Sequence, residues 1–293
     1  MLIRCLCAGV ILAAVSAGAA PDDERPVEDA ARFRMDRPAN RDLPTLFLVG
    51  DSTVKCGTPG QRGWGEEFGK YLDPAKVNVV NVAIGGRSSR TFITEGRWAA
   101  TLSMMKPGDF VIIQFGHNDG GPINDDSRAR GSIRGIGDET EEIDNLLTKQ
   151  HEVVRTYGSY LRQYVADARA KGATPYLCTQ VPRKMWDADG SRIDRPTDGT
   201  VAWARHVAES EKATLLDLHE SVAASYDGLG RQAVEPFFAD ARTHTTVAGA
   251  DHTARVVIGL LAELPYSTWR ERLSPAGVES ISADFHQRSS DRR

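Results

Sequence analysis

Leu46-Phe47-Leu48-Val49-Gly50-Asp51-Ser52-Thr53 is the stretch on which the reading of this chain turns. An apolar run of strand length stops abruptly at Gly-Asp-Ser-Thr, residues that favour turns and helix caps. In an open α/β sheet, ligands bind beyond the carboxyl ends of the strands. A hydroxyl placed there faces substrate, which makes Ser52 a candidate nucleophile. The competing reading is that Asp51 and Ser52 only turn the chain and cap a helix. The rest of the chain must decide between them.

Working outward, apolar runs of strand length alternate with helical patterns. The expected strands are Leu46–Gly50, Val77–Ala83, Phe110–Phe115, Pro175–Val181 and Thr214–Leu218. The expected helices cover Gly65–Leu72, Arg97–Met105, Tyr157–Lys171, Val201–Lys212, Glu220–Leu229 and Val247–Leu264. Short strands that are apolar on both faces belong to a parallel sheet covered by helices. With right-handed crossovers the expected fold is α/β, a three-layer α/β/α sandwich around about five parallel strands. The domain should span residues 44–265, with a polar tail over 266–293 expected to fray. Gly120–Gln150 is too long for an ordinary connection and is expected to wall a substrate cleft.

The N-terminus reads as an address. Arg4 supplies the positive start, Cys5 to Ala20 is apolar, and Ala17-Gly18-Ala19 fits a cleavage site, so residues 1–19 are expected to be a removed secretory signal. The run is short for a membrane span. Cys5 and Cys7 would leave with it. Residues 20–43, polar and holding Pro21, Pro26 and Pro38, then form an N-terminal extension. The protein is thus expected to be secreted or periplasmic, without membrane attachment after cleavage. Cys56 and Cys178 remain; they could pair in an oxidising compartment, but Cys178 lies in an apolar run where a buried thiol is the simpler reading. With 36 basic and 40 acidic residues, a net charge of −4, there is no basic excess to suggest nucleic acid.

Three further stretches fall at strand ends: Asn81 to Arg90, Gly116-His117-Asn118-Asp119, and Asp240 to Thr245. Acyl transfer through serine needs an activated hydroxyl, a correctly held base, and donors aimed at the developing oxyanion. Ser52 supplies the first and His244 the second. The backbone N–H groups of Ser52 and Gly86, with the Asn118 side-chain amide, could form the oxyanion hole. Gly86 has no Cβ to hold a ligand off.

Gly50-Asp51-Ser52-Thr53, Gly86, Gly116-His117-Asn118-Asp119 and His244 resemble, in order, the four blocks of the SGNH (GDSL-type) hydrolases. Gly-Gly-Arg-Ser-Ser-Arg-Thr-Phe from Gly85, Gly-His-Asn-Asp, Trp64-Gly65 and Val181-Pro182-Arg183 resemble more narrowly the rhamnogalacturonan acetylesterase branch. The resemblance covers roughly residues 45–264. It implies a flavodoxin-like sheet, a Ser-His-Asp mechanism, and an oxyanion hole completed by glycine and asparagine. One position departs. The family's acid lies three residues before the histidine, where this chain has Ala241; Asp240 lies four before. Asp240 is the favoured acid, a backbone carbonyl the alternative.

Among the other candidates, His117 is read as a pocket wall and Asp119 as a structural residue. His151, His206 and His219 are read as surface or cap residues, and His252 as part of a helix. Arg87 and Arg90 are candidate contacts for a hydroxylated or uronate-bearing substrate, against a plain reading as solvated charges. Asp187-Ala188-Asp189-Gly190 with Asp194 lacks the full ligand ladder of a calcium loop and reads as a turn. No metal or cofactor is implied. The expected function is an exported carbohydrate esterase acting on an acetylated plant cell-wall polysaccharide, foremost rhamnogalacturonan. The alternatives are another esterase of the superfamily, such as a lipase, thioesterase or bacterial-wall acetylesterase, and an inactive carbohydrate-binding protein.

Overall fold

The computed structural model describes residues 33–265 and 267–290. The signal and most of the N-terminal extension lie outside the described residues. The strands are β1 (Thr45–Gly50), β2 (Asn78–Asn81), β3 (Phe110–Gln114), β4 (Thr140–Asp144), β5 (His151–Arg155), β6 (Thr174–Cys178) and β7 (Thr214–Leu216). The helices are α1 (Trp64–Phe68), α2 (Ser89–Thr94), α3 (Arg97–Met104), α4 (Tyr157–Ala170), α5 (Thr200–Ser210), α6 (Leu218–Leu229), α7 (Arg231–Val234), α8 (Val247–Glu263) and α9 (Pro275–Ser290).

Five strands form one parallel sheet in the order β2-β1-β3-β6-β7. This is the expected α/β sandwich. Side chains alternate across a strand, and β1 feeds both layers. Leu46 and Leu48 pack with Trp64, Phe68, Val257 and Leu261 on one face, whereas Phe47 and Val49 pack with Trp98, Leu161 and Tyr164 on the other. All four of these side chains are fully buried. Gly50 pairs with Gln114, and Gln114 with Cys178, so the central strands end level at one sheet edge. The loops that follow β1, β2 and β3 therefore start side by side.

Several expectations need correcting. The Gly65–Leu72 helix is instead α1 followed by a 3₁₀ turn over Gly69–Tyr71. Helix α2 was not expected; a reciprocal cap starts it, with Ser88 Oγ accepting from the Thr91 N–H (3.1 Å) and Thr91 Oγ1 from the Ser88 N–H (2.9 Å). The insertion runs into an antiparallel hairpin of β4 and β5. The tail does not simply fray. Trp269 is buried, its ring 4.8 Å from Phe110 and its Nε1–H donating to the Tyr176 hydroxyl at 3.0 Å, and α9 follows it. His219 is buried rather than at the surface. Cys56 and Cys178 are free thiols. Asp187 and Asp189 accept backbone N–H bonds from Ser191 within their own turn.

Candidate active site

Gly50 is where β1 turns. A Cβ there would lie 2.5 Å from the Val54 side chain and 2.7 Å from the Gln114 carbonyl, so only glycine fits the approach. The Asp51 carbonyl then accepts the N–H groups of Val54 and Lys55, both at 3.1 Å. Its carboxylate Oδ1 accepts from the Thr53 N–H and hydroxyl, both at 2.8 Å. Asp51 thus does turn the chain, as the plainer reading held. That task leaves the Ser52 hydroxyl free to face outward, where His244 Nε2 stands 2.9 Å from its Oγ.

His244 sits in the loop before α8, held by a short bridge in which the Ala239 N–H donates to the His244 carbonyl (2.9 Å) and the Arg62 N–H to the Thr245 carbonyl (2.8 Å). The other ring nitrogen, Nδ1, lies 2.6 Å from Asp240 Oδ2. A carboxylate only accepts, so Nδ1 carries the proton and Nε2 is left to accept from Ser52. Burial opposes ionisation of Asp240, but it is outweighed. The N–H groups of Thr243 (2.7 Å), Arg242 (3.0 Å) and His244 (3.1 Å) all donate to Oδ1, and with the His244 ring they hold the carboxyl well below the usual range.

Gly86 has φ +80°, a left-handed conformation that glycine tolerates without strain, and a Cβ on its neighbour Gly85 would come 3.5 Å from the Ser52 Cβ. The glycine pair therefore runs against the serine. Among the described residues, the Ser52 and Gly86 N–H groups donate to no protein acceptor. Asn118 is buried. Its Nδ2 donates one hydrogen to the Arg87 carbonyl (2.8 Å) and has a second to give. Asp119 locks this corner: it accepts from the Ser89 hydroxyl and from Ser132 Oγ (2.7 Å), and burial pushes its pKa up to about 6.

Beside Asn118 opens a cleft of about 400 Å³, lined among others by His117, Arg130, Arg183, Trp203 and Arg134. His117 is a wall residue with both ring nitrogens buried; burial lowers its pKa and favours the neutral ring. Arg90 is not a substrate contact. It is fully buried, forked onto Glu152 (2.6 and 2.7 Å), and donates to the carbonyls of Ile123 and Gly131, each at 2.7 Å. Arg87 is likewise engaged away from the cleft, with Glu95 (3.0 Å) and the Gly85 carbonyl (3.1 Å). Sequence reasoning assigned no role to Arg130, Arg134, Arg183 or Trp203. The only signal near them was the Val181-Pro182-Arg183 motif.

A parallel α/β sandwich with serine, histidine and aspartate in one relay at its strand ends defines a serine hydrolase of the SGNH type. Residues 48–252 match the GDSL-like Lipase/Acylhydrolase family, and the chain belongs to this family of serine ester hydrolases. It is 34% identical over 226 residues to a Bacillus subtilis protein named probable rhamnogalacturonan acetylesterase, covering 75% of this chain and 93% of that one. It is 32% identical over 210 residues to the rhamnogalacturonan acetylesterase of Emericella nidulans, covering 72% and 81%. Among solved structures, the Bacillus subtilis protein YxiM superposes with TM-score 0.60 at 26% identity. That match spans 75% of this chain and 56% of the longer one.

Proposed function

We propose that the protein is an exported carbohydrate esterase that removes acetyl groups from rhamnogalacturonan, a plant cell-wall polysaccharide. The observation that carries this reading is the unbroken relay from Asp240 through His244 to Ser52, set beside unpaired N–H donors. The names of the relatives support the substrate class. Ser52 Oγ attacks the acetyl carbonyl carbon and gives its proton to His244 Nε2. The oxygen that becomes negative is met by the N–H groups of Ser52 and Gly86 and the amide of Asn118. Collapse breaks the bond to the sugar oxygen, which leaves with the proton from His244. Water, deprotonated by His244, then attacks the acetyl-serine; the bond to Ser52 Oγ breaks, Oγ takes the proton back from His244, and acetate is released. Asp240 keeps the ring in the working tautomer.

Acetate release from acetylated rhamnogalacturonan, acetylated xylan and short acyl esters tests the substrate claim. The pectic polymer should be turned over with the highest kcat/KM, and equal rates on all three would sink it. For export, the protein recovered outside the cytoplasm should begin at Ala20; a retained full-length chain would contradict that part.

A further inference from the structure

The cleft beside Asn118 is cationic in a protein whose net charge is −4. Arg130, Arg134 and Arg183 line it, and Asp119 is the one carboxylate among its lining residues. That carboxylate is already occupied by the hydroxyls of Ser89 and Ser132.

Two of the three arginines are half-buried, and each has a buried Nε without a partner among the described residues, where buried polar atoms are normally paired. The Arg183 side chain makes no hydrogen bond or ion pair with any described residue, and its Nε is buried. Arg130 makes one bond, from an Nη to the Gly86 carbonyl (3.1 Å); it has no ion pair among the described residues, and its Nε is also buried and unpartnered. Elsewhere in the same molecule arginines are satisfied, Arg90 by Glu152, Arg87 by Glu95 and Arg205 by Asp217. Burial, with Arg242 near Arg183 and Arg128 near Arg130, outweighs the carboxylate of Asp51 near both, and those of Asp119 and Asp125 near Arg130, and presses both pKa values down, so each charge gains from an incoming anion. The planar fork of a guanidinium matches a carboxylate.

We propose that Arg183, with Arg130, forms a carboxylate subsite that takes a uronic-acid carboxylate of the polymer. The inference rests on the polysaccharide-esterase reading above and adds what selects the polymer. A polymer whose acetyl group reaches the Asn118 corner lies along the same cleft. Trp203 and Tyr157, whose ring centroids lie 6.1 Å apart, supply aromatic wall there. The arginines supply the charge. Arg130 additionally steadies the glycine pair through the Gly86 carbonyl.

The test compares acetate release from acetylated rhamnogalacturonan carrying free carboxylates with release from the same polymer after methyl esterification. The wild type should favour the charged polymer by about 10-fold in kcat/KM, the scale of one charge-assisted hydrogen bond. In Arg183→Gln the ratio should fall toward one, and in Arg183→Lys, which keeps the charge but loses the fork, it should lie between. Because the ratio is read within each protein, a general loss of activity cancels. Added salt should compress the ratio of the wild type itself, so the test stands even if a variant folds poorly. A wild-type ratio near one, or an unchanged ratio in Arg183→Gln, overturns the subsite. Loss of inhibition by free acetate in Arg183→Gln with an unchanged ratio would assign the arginine to the product and equally overturn it. Acetate release from small esters but from neither polymer would instead remove the polysaccharide reading, and the subsite with it.

Discussion

Asp240 lies four residues before His244, and its Oδ2 still stands 2.6 Å from the ring Nδ1. The turn between them is wound around the carboxylate itself: Oδ1 gathers the N–H groups of Arg242, Thr243 and His244 while Oδ2 reaches the imidazole. One oxygen shapes the loop and the other orients the base. The extra residue, Ala241, is absorbed by that winding.

Asp240→Asn should therefore lower kcat by about 10³- to 10⁴-fold, since the amide can present a donor to Nδ1 and favour the wrong tautomer. Moving the acid, as Asp240→Ala with Ala241→Asp, should not restore activity, because the Oδ1 anchor of the turn is lost. Steady-state kinetics on a small acetyl ester reads both. Full recovery in the double variant would mean that the spacing is immaterial.

Asn118→Ala should lower kcat by about 10²- to 10³-fold with a smaller change in KM, the pattern of a donor used mainly in the transition state. A purely raised KM would mean that Asn118 only binds substrate.

Glu152→Ala should cost about 3–5 kcal/mol in denaturant unfolding, because it strands the buried Arg90 charge. The same pair ties β5 to α2, three residues beyond Gly86, so residual kcat should fall as well. A variant as stable as the wild type would contradict the structural role given to Arg90.

Asp119 sets a pH dependence of stability. Its folded pKa, about 6, lies above the ordinary 3.8, so its stabilising protonation is complete below about 4 and is lost as pH rises through 6. Asp240 has the opposite sign, since its depressed pKa stabilises above 3.8 and that contribution fades as pH falls below it. In Asp119→Asn, the fall in stability between pH 4 and 6 that this group causes should disappear. Melting curves across that window check it, and parallel curves for the two proteins would remove Asp119 as the source.

The parts of the site legible in the sequence are those whose chemistry is local. Gly50-Asp51-Ser52-Thr53 marks a strand end, Gly86 a backbone that must lie close, and Asn118 a loop amide beside it. Arg90 was misread because its partner Glu152 stands 62 residues away, and nothing next to an arginine says that it will be buried. The tail was misread for the same reason: Trp269 stands in polar sequence, and its partners Phe110 and Tyr176 belong to the sheet. The cleft arginines are contributed by two separate loops that only the fold brings together. Asp240 lay between these cases, named by chemistry and off the usual spacing, and its reach became intelligible only through three backbone bonds.

The central claim is that Ser52 carries the acetyl group between substrate and water. Mass-spectrometric mapping of enzyme quenched during turnover of a small acetyl ester, or inactivated with an organophosphonate, tests this most directly. The account predicts one adduct, on the peptide holding Ser52, and neither adduct nor acetate release above background in Ser52→Ala. An adduct on another residue, or turnover surviving in Ser52→Ala, would contradict it.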